Sequence, residues 1–231
     1  MNTTTSKFVH WIARGALGLI ARLETVGWEQ VPASGQGYVV AANHVGRLDA
    51  FLVYALLDRP DIIVMVAEKY RRYALTRFLV RLVDGIFVDR YNADFGAVRE
   101  TLRRLKKGGI LAMTPEGTRS ATGNLIAGKP GGIYLAWKAG VPILPVAVTG
   151  SEDAVVAQRL KHFRRLEIRI AAGAPFRLPA EADPDRDQAM RRYTDEVMCR
   201  ISMLLPAERR GVYADHPRLA ELLNAAGISH G

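Results

Sequence analysis

The sequence lacks most of the residues and patterns that would assign a function at a glance. It has one cysteine, Cys199, in 231 residues. A single cysteine closes no internal disulfide and fits a reducing compartment. Cys199 lies in the helical pattern "YTDEVMCRISMLL" with no glycine-rich turn beside it. It reads as a small buried residue rather than a nucleophile. No second histidine or cysteine stands at ligand spacing from His44, so no metal is expected. The hydrolase pattern G-x-S-x-G is missing, and Ser120, in "GTRSATG", lacks that context. No run of about 18 uncharged apolar residues occurs, so no membrane-spanning helix is expected. Long linkers, internal repeats and low-complexity blocks are missing too. With 49% hydrophobic content, one domain with small terminal additions is the simplest organisation.

The charge is not balanced. The formal net charge is +9, which favours an anionic partner: nucleic acid, an acidic membrane surface or a phosphorylated small molecule. Two basic runs, "EKYRRYALTRFLVRLV" and "QRLKHFRRLEIR", are interleaved with aromatic residues. No helix-turn-helix, RNA-recognition or zinc-finger pattern accompanies them, so nucleic acid is not expected. A solvated helix face and a membrane-facing surface remain the two readings of these runs.

The N-terminal stretch "KFVHWIARGALGLIARL" has helical periodicity. At 100° per residue, Phe8, Val9, Ile12, Ala16, Leu19, Ile20 and Leu23 fall on one arc, opposite Lys7, His10, Arg14 and Arg22. Arg14 interrupts the apolar part and no small-residue cleavage pattern follows, which is a poor match to a signal peptide. Either this helix lies in a membrane interface with its cations toward lipid phosphates, or it packs on its own domain.

Further on, near-continuous aliphatic runs alternate with helical patterns. Strands are predicted at 37–42, 61–67, 86–88, 110–114, 142–148 and 166–172. Helices are predicted at 48–58, 71–83, 93–109, 131–140, 184–205 and 216–227. This alternation predicts an α/β fold, with a mostly parallel central sheet flanked by helices. The predicted divisions are an amphipathic N-terminal helix over 1–23, a catalytic domain over 24–205 and an extension over 206–231 packed on it.

Ligands bind such sheets at the carboxyl ends of the strands. "NHVGRLD" (43–49) follows the first predicted strand, "DR" (89–90) the third and "PEGTRS" (115–120) the fourth. On one continuous helix, His44 and Asp49 would lie about 140° apart. His44 therefore belongs in the loop, with Asp49 in the first turn of the next helix. There Asp49 either orients His44 as a base or merely caps the helix beside a solvated histidine. Pro115 and Gly117 shape a turn that can aim backbone N–H groups at an anion. Arg90 and Arg119 suit phosphate, and each alone also suits a surface ion pair. Lys129 is a weaker third cation. Glu116 is too acidic to bind phosphate and either holds Arg119 or the loop, or meets a substrate hydroxyl.

Four ordered stretches, "NHVGRLD", "GIFVDR", "TPEGTRS" and "VPILPV", together closely resemble the glycerolipid acyltransferase family, most of all its bacterial 1-acylglycerol-3-phosphate acyltransferases. The resemblance covers residues 24–150. It implies acyl transfer from acyl-CoA or acyl carrier protein, as co-substrate, to the sn-2 hydroxyl of lysophosphatidate, giving phosphatidate without an acyl-enzyme or any cofactor. His44 would be the general base and Asp49 its orienting group. Gly85 and Arg90 match the second block, and Glu116, Gly117, Thr118 and Arg119 the third; these blocks serve the acceptor phosphate. Pro142 matches the fourth block, which shapes the site. Another acceptor, such as a lysophospholipid, an acylated amino acid or a glycolipid sugar, would use the same chemistry. The resemblance and the basic charge together imply a peripheral protein at the cytoplasmic face of the cell membrane, with an anionic lipid surface and, as a candidate, acyl carrier protein for partners.

Overall fold

The computed structural model describes residues 3–33, 35–57, 59–89, 94–180 and 184–228, with backbone alone for 3–10, 13 and 50. The elements begin with helix α1 (Thr3–Ile20) and strand β1 (Ala21–Val26). Strand β2 (Tyr38–Ala42), helix α2 (Asp49–Leu56) and the short strands β3 (Ile62–Ile63) and β4 (Met65–Ala67) follow. Next come α3 (Ala74–Leu82), β5 (Ile86–Val88), α4 (Phe95–Lys106), β6 (Ile110–Met113) and α5 (Pro130–Ala139). The chain continues through β7 (Ile143–Thr149), α6 (Asp153–Lys161), β8 (Leu166–Ala172), α7 (Arg186–Met203) and α8 (Pro217–Ala225).

Six strands form one sheet in the order β1-β8-β7-β2-β6-β3, while β4 and β5 pair separately. β2 runs parallel to β6 and β7, and β3 parallel to β6. β8 is antiparallel to β7 and parallel to β1. The sheet is thus mostly parallel, with two reversed strands at one edge.

Strand composition explains its burial on both faces. Successive β2 side chains alternate between faces. Tyr38, Val40 and Ala42 pack with Leu17 of α1 and with Leu52 and Ala55 of α2. Val39 and Ala41 pack with Leu105 of α4, Ile133 of α5, Val197 of α7 and Leu219 of α8. Fully burying each such aliphatic side chain contributes about 1.5–3 kcal/mol, so an apolar residue is favoured at every β2 position.

Three expectations need correction. The run predicted as one strand over 61–67 divides at Val64, and only Ile62–Ile63 joins the main sheet. β5, the third strand of the rim argument, pairs with β4 alone. The predicted N-terminal helix over 1–23 ends at Ile20, and Ala21–Val26 is an edge strand. "ARLETV" carries charged residues that suit an exposed edge, and its Leu23 also fits the preceding helical arc, so periodicity alone did not separate the two. α6 had no strong signal either, because none of its residues is buried.

Candidate active site

β2, β6 and β7 run parallel and end at one rim. The loop Asn43–Leu48 leaves β2 there, and α2 begins with Asp49. Asn43 is buried and acts as a clamp: its side-chain amide donates to the Val148 carbonyl at 2.9 Å and its Oδ1 accepts the Val148 N–H at 2.7 Å. This pairs the loop with the end of β7 beyond the last strand register.

Asp49 does not cap its own helix. Its carboxylate turns back and lies 2.8 Å from His44 Nδ1. The same oxygen accepts the N–H groups of Val45 and Gly46 at 2.8 and 2.9 Å. The other oxygen accepts the Ser151 hydroxyl at 2.7 Å. Asp49 is only 2% exposed and Ser151 is fully buried. An acceptor so occupied accepts a hydrogen bond from the Nδ1–H of the imidazole, leaving Nε2 as the basic nitrogen. The His44 side chain is 24% exposed, so a substrate can reach the ring.

Gly46 is required by close approach: a Cβ there would sit 1.8 Å from the Ser151 carbonyl oxygen. The loop can fold over Asp49 only because that position has no side chain.

Glu116 fixes the backbone of the histidine. Its two oxygens accept the N–H groups of His44 at 2.6 Å and Ile126 at 2.9 Å. The Ser120 N–H donates to the His44 carbonyl at 2.8 Å. Glu116 is 1% exposed, and burial raises its carboxyl above the ordinary carboxylate range against the pull of the two backbone amides. Of the roles open in sequence, it holds the loop. Arg119 has a different partner.

Arg119 bonds Asp153, at the start of α6, at 2.6 Å. The other Asp153 oxygen accepts the Arg47 N–H at 2.9 Å, and Arg47 Nε lies 3.7 Å from the carboxylate. Thr118 and Lys129 are exposed on the same turn system. The Lys129 N–H donates to the Pro115 carbonyl at 2.8 Å. Its side chain lies over Gly117 (φ +68°), where an added Cβ would be 3.7 Å from Nζ. Arg119 and the Thr118 turn of the third block thus lie beside the His44 loop, with Arg47 and Lys129 near them.

Two candidate site residues are not gathered there. Gly85 precedes β5 and so lies at the far end of that strand, where a Cβ would meet the Val64 carbonyl and Val80 at 3.1 Å. Its lack of a side chain permits close packing there. Pro142 precedes β7; its carbonyl accepts the Val39 N–H at 2.9 Å, near the start of β2. Five residue steps separate that level from His44, on the order of 15 Å. Arg90 lies outside the described residues. Asn43, Ser151 and Asp153 were not singled out from sequence. Ser151 and Asp153 have no local signal, since their partners lie 102 and 106 positions away.

The fold and the rim define a class: an α/β enzyme with a carboxylate-held histidine at the carboxyl edge of its sheet. The Acyltransferase family model matches residues 22–149, and the chain belongs to that family. It is 36% identical over 117 residues to the 1-acyl-sn-glycerol-3-phosphate acyltransferase of Limnanthes alba, covering 49% of this chain and 41% of that one. It is 32% identical over 162 residues to the alpha form from Ovis aries, covering 67% of this chain and 54% of that one. The chain spans about half or less of the length of the curated relatives it matches. The crystal structure of the 1-acyl-sn-glycerophosphate acyltransferase from Thermotoga maritima shares the fold. Its TM-score is 0.64 at 24% identity, over 83% of this chain and 76% of that one.

Proposed function

We propose that this chain transfers a fatty acyl group from acyl-CoA or acyl carrier protein to the sn-2 hydroxyl of 1-acylglycerol-3-phosphate. The observation that carries the proposal is the 2.8 Å contact of His44 Nδ1 with a buried Asp49 that is itself bonded by two backbone amides and a serine hydroxyl. His44 Nε2 takes the proton of the acceptor hydroxyl as its oxygen attacks the thioester carbonyl. A C–O bond forms, the C–S bond breaks, and the thiolate leaves as a thiol with the proton held by His44. No acyl-enzyme forms. Asp49 stabilises the imidazolium between these steps, and its fixed position keeps the ring aimed. Arg119, Lys129 and the exposed turn at Thr118 receive the acceptor phosphate. The names carried by the relatives support this choice of acceptor.

The protein works as a peripheral enzyme at the cytoplasmic face of the membrane. No helix among the described residues is long and apolar enough to cross a membrane. The outward exposure of Trp11, Ile12 and Leu19 on α1 supports an interfacial position.

The test is thiol release from long-chain acyl-CoA, with and without lysophosphatidate, in wild type and His44→Ala. A parallel assay uses acyl carrier protein thioester. Release that requires the acceptor and falls by about 10³-fold or more in the variant fits a base worth that much. Release without acceptor would assign a thioesterase and overturn the proposal.

A further inference from the structure

We propose that α3 is a second membrane anchor, which with α1 brackets the catalytic rim and docks it onto an anionic lipid surface. The proposal rests on the lipid-acceptor reading above and extends it to the orientation of the enzyme on the bilayer.

The observation is a helix turned inside out. In α3, Leu75, Phe78, Leu79 and Leu82 stand at i, i+3, i+4 and i+7, the spacing of a core-facing stripe. Only Val80 of this helix is buried. Leu75 is 68% exposed, Phe78 62% and Leu79 48%. Leu82 is half-buried, and the exposed patch of Leu75, Phe78 and Leu79 marks an interaction surface.

Charge and aromatic placement identify the occupant. Tyr70 and Tyr73, just before α3, are also exposed. Lys69, Arg71 and Arg72 lie over the rings of Tyr70, Phe87 and Tyr73 at 5.2, 4.9 and 4.8 Å. Arg81 is exposed on the flank of the helix. Apolar side chains in the centre, tyrosines at the border and cations around them match the layers of an anionic bilayer interface. An acidic protein would be met by the cations and leave the Leu–Phe stripe without a partner.

Topology places this surface beside the site. β4 continues β3, which is parallel to β6, so the chain enters α3 from the carboxyl end of the strands, where His44 lies. At the opposite edge, β7 reaches the rim at Thr149, which pairs with Arg169 of β8. β8 begins three residues earlier at Leu166, which pairs with Ala21 of β1. α1 ends at Ile20, so Leu19, 79% exposed, is at the rim too. The sheet order sets β1 and β3 at opposite edges with β2 and its histidine between them. The rim ends of two helices with exposed apolar side chains, α1 at Leu19 and α3 at Leu75, stand on either side of the catalytic loop and define a docking plane. A lipid hydroxyl at the headgroup level then meets His44 without leaving the bilayer.

The test is sedimentation of the full chain with phosphatidylcholine vesicles, with and without phosphatidylglycerol. Leu75→Glu/Phe78→Glu is compared with wild type and with Arg72→Gln/Arg81→Gln. Each protein is also assayed on short-chain, water-soluble acyl-CoA and lysophosphatidate, and on long-chain acceptor in vesicles. The apolar variant should bind vesicles at least about tenfold more weakly. The cation variant should lose roughly fivefold per charge, on anionic vesicles only. Both should keep wild-type activity on the soluble substrates and lose vesicle activity in step with binding. Unchanged vesicle binding by the apolar variant overturns the proposal. So does a dimer in wild type that this variant splits without losing vesicle binding, which would assign the stripe to a second copy. If wild type transfers no acyl group, the functional reading fails and the vesicle comparison still decides the anchor.

Discussion

The two sides of the rim are built differently. On the base side, Asn43, Asp49, Glu116 and Ser151 are buried, and their polar atoms bond each other and the backbone at 2.6–2.9 Å. On the cation side, Arg47, Thr118, Arg119 and Lys129 are exposed, and the main bond is an ion pair at the surface. The base must be aimed before the substrate arrives, because a small error of position removes much of the rate. The cation side, which receives the acceptor phosphate in the proposed function, has the opposite need. Its cations must be able to exchange one anion for another, and exposed ion pairs worth about 0–1 kcal/mol exchange easily. The Asp153 carboxylate lies between Arg47 and Arg119 and accepts from both.

The largest effect should come from breaking the base side at its centre. Asp49→Asn keeps the volume and presents an amide to His44, which favours the wrong tautomer. We expect kcat to fall by about 10²- to 10⁴-fold with little change in KM, read in steady-state acyl transfer. A variant within threefold of wild type would show that Asp49 only shapes the loop.

Glu116→Gln comes next. The amide nitrogen cannot accept, so either the His44 or the Ile126 N–H loses its partner, a cost of about 1–3 kcal/mol in urea unfolding. Burial raises the folded carboxyl of Glu116 above its unfolded value. The folded protein then holds a proton that the unfolded chain has released. This contribution is fully present below the ordinary carboxyl range and is lost as pH rises through the raised value. Glu116→Gln should remove that part of the pH dependence, and an unchanged stability profile would refute it.

Ser151→Ala sharpens the comparison by removing one donor from Asp49 while leaving the others. We expect roughly a tenfold loss in kcat and about 1.5–3 kcal/mol in stability, the usual range for a hydrogen bond to a charged group. Ser151→Thr should not rescue it, because the site is fully buried and an added methyl has no space.

The smallest effect should lie on the cation side. Asp153→Asn weakens the ion pair with Arg119 and should lower KM for a phosphate-bearing acceptor about two- to fivefold, with stability changed by less than about 1 kcal/mol. A higher KM would instead mean that Asp153 holds Arg119 in its working position.

The sheet, the catalytic loop and the family are legible in the sequence because each depends on local pattern. "YVVAA" is a short aliphatic run with one tyrosine and no charge, which reads as a strand covered on both faces, and "NHVGRLD" then falls at its exit. The histidine and its aspartate are five positions apart, close enough for chain geometry to argue their pairing. Glu116 was visible as a group needing a partner, but its partner was not. Which backbone amides it would meet depends on β6 lying beside β2, a pairing across some 70 residues. Ser151 and Asp153 carry no signal of their own, since a serine or aspartate after a strand is ordinary turn chemistry. Their meaning comes from the β2–β7 register, which sets the end of β7 against the catalytic loop. The same limit applies to α3. Its stripe has the spacing of a buried helix, and only the packing of the finished domain leaves that stripe facing outward. The sequence by itself determined the alternation of strands and helices and the closeness of His44 and Asp49, because periodicity and short spacings are properties of a few neighbouring residues. The tertiary structure decided what surrounds that pair and which apolar face stays uncovered, because both depend on which distant segments meet.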